Sequence, residues 1–185
     1  LPGLTFRESL YNGVASDRIN RQFRFCPRSD GMFNIGSLSY HIGEEDRHHG
    51  YYAVGYALGS SPSETSADKT FNYALWTLIE QPLLHVGESH LGAMWQGGTS
   101  PASRSTCRHY WGAGLIWSNI PPQMTQVGLV VNRALYADGR ETDVELTGSF
   151  PVCNHFTLQP AVHCINTNGN YTAAAQLRAI LEFGN

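Results

Sequence analysis

Polar and apolar side chains alternate, residue by residue, through the last part of the chain. That period of two admits a strand with two unlike faces and little else. From Gly139 to Phe150, Thr142, Val144, Leu146 and Phe150 alternate with Glu141, Asp143, Glu145 and Ser149. From Phe156 onward, Leu158, Pro160, Val162 and Cys164 share one face, and Gln159, Ala161 and His163 share the other. From Ala175 to Phe183, Leu177, Ala179, Leu181 and Phe183 alternate with Gln176, Arg178, Ile180 and Glu182. The Ala-rich stretch from Thr172 to Leu181 also reads as a helix, but Gln176, Arg178 and Glu182 keep the period of two and favour a strand. Three successive strands of this kind fit a sheet with lipid or a core on one side and water on the other.

Further strands are predicted near 4–12, 31–42, 50–58, 70–81, 88–97, 108–118 and 125–136, making about ten in all. Turn signals fall at Gly97-Gly98, Pro121-Pro122, Asp138-Gly139 and Asn168-Gly169, and in the Ser-rich stretch 59–69. If the last strand ends on the periplasmic side, the connections near 13–30, 59–69, 98–107, 137–139 and 166–173 face outward. Those near 43–49, 82–87, 119–124 and 153–155 face the periplasm. The outward set holds the longest loops, as in outer-membrane barrels. No solenoid repeat and no domain boundary interrupts residues 1–185.

Composition narrows the class. Charged residues make up 15% of the 185-residue chain, against about 25% in an average globular domain. There are 19 glycines, and aromatics reach 11%. The net charge of −3 and the lack of a basic patch interleaved with aromatics argue against a nucleic-acid partner. The Arg-rich stretch from Arg18 to Arg28 reads as solvated loop charge. No apolar run is long enough for a transmembrane helix and no signal peptide opens the chain. A transmembrane barrel stays open, because its strands are short and only half apolar. Cys26, Cys107, Cys153 and Cys164 match no zinc spacing; up to two disulfides or four free thiols both fit. A direct bridge between Cys153 and Cys164 is disfavoured by their positions, one at a turn and the other well away from it.

Several motifs, in order, resemble one family. Tyr73 to Pro82 (YALWTLIEQP) looks like a porin strand ending in Glu-Gln-Pro. Leu91 to Gly97, the loop from Ser100-Pro101 to Arg104 and the aromatic strand Tyr110 to Leu115 follow. Glu141 to Leu146 resembles an acidic strand, Thr157 to Ile165 a penultimate strand, and an Asn/Gly turn leads to a final strand ending in Phe. Their collinear order is similar to the C-terminal part of the carbohydrate-selective porins of Gram-negative outer membranes. The resemblance covers most of the chain, best from about residue 70. That family's barrel is larger, with about sixteen strands. His163 and Cys164 stand where polar and aromatic residues are usual, and Phe183-Gly184-Asn185 ends the chain.

The expected fold is all-β: an antiparallel transmembrane β-barrel of about ten strands, or a partial barrel that is the C-terminal part of a larger one. The expected function is an outer-membrane channel for passive diffusion of carbohydrates or other small polar solutes, without catalysis or cofactor. The expected partners are outer-membrane lipid, a carbohydrate solute, and a homo-oligomer or another envelope protein that completes the barrel. A shortened relative that no longer conducts would instead serve as a structural or docking subunit in an envelope assembly, such as one exporting a polysaccharide. A soluble carbohydrate-binding β-sandwich is the third reading.

By parity, the lumen-facing residues are Arg7, Trp76, Glu80, Glu141, Asp143, Glu145, Gln159, His163, Gln176 and Arg178. Sugar hydroxyls need such hydrogen-bonding groups, and pyranose faces stack on aromatic rings. Glu141, Asp143 and Glu145 repel one another unless water or a cation such as Arg178 meets them. Trp76 is a stacking platform or, with parity one residue off, an interfacial anchor. Trp95, Trp111, Trp117, Tyr110 and Tyr136 fit an aromatic girdle. His48-His49, beside Glu44, Glu45 and Asp46, is a weak metal candidate. A serine with His90 or His163 as base would make a hydrolase, but no motif singles them out.

Overall fold

In a computed structural model, residues 3–13, 27–43, 50–62, 69–101, 105–122 and 125–182 are described. The strands are β1 (Leu4–Asn12), β2 (Met32–Ile42), β3 (Gly50–Pro62), β4 (Lys69–Val86) and β5 (Ser89–Thr99). They continue with β6 (Cys107–Ile120), β7 (Thr125–Tyr136), β8 (Arg140–Cys153), β9 (Phe156–Thr167) and β10 (Asn170–Leu181). One short helix, α1 (Pro27–Asp30), precedes β2. The ten strands form one sheet in sequence order, each antiparallel to the next. The final segment is therefore strand, as its period of two requires.

The sheet is open. Within it β1 pairs only with β2 and β10 only with β9, so the ten strands do not close into a barrel on their own. Nor does a second layer cover it. Among the described residues, the buried hydrophobic side chains are only those of Ala53 and Ala161. A soluble sandwich would bury one face of each sheet against another; among the described residues nothing covers either face.

Two turn assignments need correction. Gly97 and Gly98 lie inside β5, and β4 continues through Pro82 to Val86, leaving only Gly87-Glu88 as the turn. Gly98 is opposite both Trp76 and Tyr110, and Gly97 is opposite Trp111. Pro82 is tolerated because the β4–β5 register slips between Pro82 and Leu84, where a ladder donor is not needed. Asn168-Gly169 is a tight two-residue turn. Both residues have positive φ, 55° and 97°, the geometry of a type I′ hairpin.

The connections are uneven. At one end they span 13–31, 63–68, 100–106, 137–139 and 168–169; at the other, 43–49, 87–88, 121–124 and 154–155. Cys107, Cys153 and Cys164 are free thiols. Residues 14–26 with Cys26, the stretch 44–49 with His48 and His49, and Phe183 lie outside the described residues.

Candidate functional site: the polar face of the sheet

Residues directly opposite in an antiparallel pair point to the same face, so the register sorts every strand. Thr5, Ser39, Ala53, Leu78, Gln96, Gly112, Asn132, Asp143 and Ile165 form one continuous row across β1–β9. The adjacent row, Leu4, Tyr40, Tyr52, Ile79, Trp95, Ala113, Val131, Val144, Cys164 and Ala173, points the other way. The first face carries most of the polar groups; the second is largely apolar.

All ten residues singled out by parity fall on the polar face. Arg7 aligns through Ser37 and Gly55 with Trp76, and Glu80 lies four residues further along β4. Glu141, Asp143 and Glu145 share the face with Gln159 and His163, and Gln176 and Arg178 oppose Ala161 and Gln159 on the same side. One face is not one site, however. Arg178 lies four residues along β10 from Ala174, the neighbour of His163, a separation of about 13 Å along a strand. The imidazole of His163, not Arg178, meets the acidic trio: Nδ1 lies 3.0 Å from Asp143 Oδ2.

The centre of the polar face is a hydrogen-bonded belt across β5, β6 and β7. Gln96 Nε2 donates to the Tyr110 hydroxyl at 2.6 Å, and that hydroxyl donates to Asn132 Oδ1 at 2.8 Å. Gln96 also reaches Asn132 directly, at 3.4 Å. Gly112 lies between them in the row, and a Cβ there would collide with Asn132 Oδ1. Asn132 opposes Asp143, which opens onto His163 and Glu145. Nearby, Thr167 Oγ1 donates to Glu141 Oε2 at 3.1 Å, and Gln159 Nε2 approaches Ser149 Oγ at 3.4 Å. Trp76 lies across Gly55, whose backbone leaves room for the indole.

Small residues hollow the same face. A depression of about 340 Å³ has Gly92 among its lining residues, with Glu80, Met94 and Gln126 at its sides. An adjoining one of about 180 Å³ lies against Gly128 and shares Gln126 and Ile116 with it. Sequence reasoning missed Gln96 and Asn132, and it placed Tyr110 in an aromatic girdle. Tyr110 belongs to the polar face, whereas Trp95, Trp111 and Trp117 are on the apolar one. Trp95 and Trp111 stack with centroids 5.9 Å apart. Alternation from Trp111 would have reassigned Tyr110. No protein-family model, no curated protein and no solved structure matches this chain.

Proposed function

We propose that the chain is porin-like wall in a bacterial outer membrane, lining a passive channel for carbohydrates or other small polar solutes. The observation that carries the reading is the division of a single uncovered sheet into one polar and one apolar face. Phe6, Leu38, Val54, Leu75, Leu115 and Leu146, on the apolar face, are all exposed. A patch of that extent on a soluble protein would drive association; against acyl chains it is the ordinary outer surface of a barrel. Every strand has nine residues or more, and about 9–11 suffice to cross a bilayer when tilted. Trp111 and Trp117 stand six residues apart on β6, about 20 Å along the strand, a spacing that suits rings near two opposite interfaces. The longest connection, 13–31, lies at one end, which would be the extracellular one.

The polar face supplies what a sugar path needs. Amides, hydroxyls and carboxylates bind sugar hydroxyls weakly and repeatedly, and Trp76 offers a ring for a pyranose face. Because unpaired backbone at a sheet edge is costly in lipid, β1 and β10 would meet further strands, from the same chain, a second copy or another envelope protein. Those same open edges favour a second reading, in which the sheet is a non-conducting structural or docking subunit of an envelope assembly.

Single-channel conductance in a planar bilayer, with and without added oligosaccharide, separates the two. Stable steps that the sugar blocks are expected. Absence of conductance from folded, heat-modifiable protein would overturn the channel and leave the docking subunit.

A further inference from the structure

We propose that Asp143, Glu145 and His163 form a binding site for a divalent first-row transition cation of the Zn²⁺ type. The site stands on the register of β8 and β9 and is independent of whether the sheet conducts. Glu145 is directly opposite His163, and Asp143 lies two residues before Glu145 on the same face. One donor atom from each falls within 4.8 Å of the others. A cation with bonds of about 2.0–2.2 Å holds its ligands about 3–4 Å apart, so small side-chain adjustments suffice. The backbone fixing these positions is paired strand, not loop.

The donor set is mixed, one imidazole and two carboxylates, and it has an unmet demand. Asp143 Oδ1 is shielded from solvent and accepts no hydrogen bond, although Oδ2 of the same carboxylate meets His163 Nδ1 at 3.0 Å. A shielded carboxylate oxygen without a partner is costly. Arg178 is too far along β10 to supply a charge. The Asp143 and His163 side chains are 21% and 20% exposed, so a solute can reach them while most of their surface is covered. A cation would satisfy the orphaned oxygen and offset the repulsion between Asp143 and Glu145. It would replace the hydrogen bond between His163 Nδ1 and Asp143 Oδ2, the imidazole binding in its neutral form through the nitrogen that carries no proton. The imidazole selects against Ca²⁺ and Mg²⁺, which prefer oxygen alone. Three protein ligands leave a coordination position for water or a solute hydroxyl.

Co²⁺, a visible stand-in for Zn²⁺, tests the site. Titration into the folded protein is expected to give d–d absorption saturating at one ion per chain, and Zn²⁺ should displace it. Asp143→Asn and His163→Gln, which keep side-chain shape, should each weaken binding by about tenfold or more. His48→Ala/His49→Ala should leave the signal in place. An unchanged spectrum and affinity in both site variants, or no absorption from wild type, overturns the proposal. Zn²⁺ protection of His163 from diethyl pyrocarbonate, read by peptide mapping of wild type, needs no variant to fold. Full modification of His163 at saturating Zn²⁺ would equally sink the site.

Discussion

Around β7–β9 the two faces of the sheet keep their characters mostly apart; towards the β1–β2 connection they trade them. Val131, Val144 and Cys164 stand back to back with Asn132, Asp143 and His163; the exceptions include Arg133, on the apolar face three residues from the end of β7, and Val130 and Ile165 on the polar one. In β1–β3, Glu8 and Asn34 occupy the apolar face, where Asn34 Nδ2 donates to Glu8 Oε1 at 3.0 Å and the Tyr56 hydroxyl comes within 3.5 Å. On the opposite side Tyr11 and Phe33 bring their rings 6.1 Å apart, next to Ile35. The polar groups of β8–β9 have their own face to share, and a register fixed by two-residue turns. The exchanged end of β1–β3 lies next to the longest connection, 13–31, where a membrane-spanning sheet would leave the hydrocarbon. A charge in the wrong place should therefore be tolerated at one end of the molecule and not at the other.

The largest effect is expected from that test. Val144→Arg puts a guanidinium into the middle of the apolar face, far from any carboxylate on that face. The cost should be about 2–4 kcal/mol, the range for Arg near a bilayer midplane. Leu10→Arg lies on the same face two residues from Glu8 and should cost about 0–1 kcal/mol, as near an interface. Urea unfolding from lipid vesicles measures both. Equal costs would break the comparison and weaken the membrane reading with it.

Next comes space rather than charge. Gly112→Val drives a branched side chain into the Gln96–Asn132 contact and should cost about 1–3 kcal/mol, the usual penalty of overpacking. Gly59→Val, on the same face in β3, meets only an edge carbon of Phe33 at 3.5 Å. Since β-branched residues suit strands, that change should stay within about 0.5 kcal/mol of wild type. A Gly59 penalty as large as that at Gly112 would mean that the two regions are equally tight.

The same contrast explains what the sequence disclosed. In β8–β10 each strand alternates through Val144, Leu146, Val162 and Leu177, so strand, face and membership of the acidic trio were all legible. In β5 and β6 the alternation is interrupted by glycines, one of which, Gly112, leaves room for the Gln96–Asn132 contact. Read locally, Gly97-Gly98 is a turn; read with its cross-strand partners, it is paired strand, opposite Thr77 and Trp76. Pro82 likewise ends a strand on local grounds and survives in one because a bulge follows. The Gln96–Tyr110–Asn132 belt was invisible for a related reason. The three lie on three different strands, and only the register brings them together. The contact of His163 with Asp143, in place of the expected Arg178, also depends on register, since Asn154-His155 sets which rung of β9 faces β8.

Hydroxyl deletions carry the smallest effects and the sharpest comparison. Tyr110→Phe removes both a donor to Asn132 and an acceptor from Gln96 inside a half-covered belt, and should cost about 1 kcal/mol. Its coupling to Gln96→Ala in a double-mutant cycle should exceed about 0.5 kcal/mol, as for residues in one network. Tyr56→Phe deletes a hydroxyl that reaches Glu8 only at the 3.5 Å limit of a hydrogen bond, on an exposed side of the sheet. Water or Asn34 takes over the carboxylate, so the change should fall within about 0.5 kcal/mol. The Tyr56 ring stays over Gly36 in either case, which keeps the comparison to the hydroxyl alone. If Tyr56→Phe costs as much as Tyr110→Phe, Glu8 is held as firmly as Asn132. The exchanged end of β1–β3 would then be a second built polar site and not a margin of the sheet.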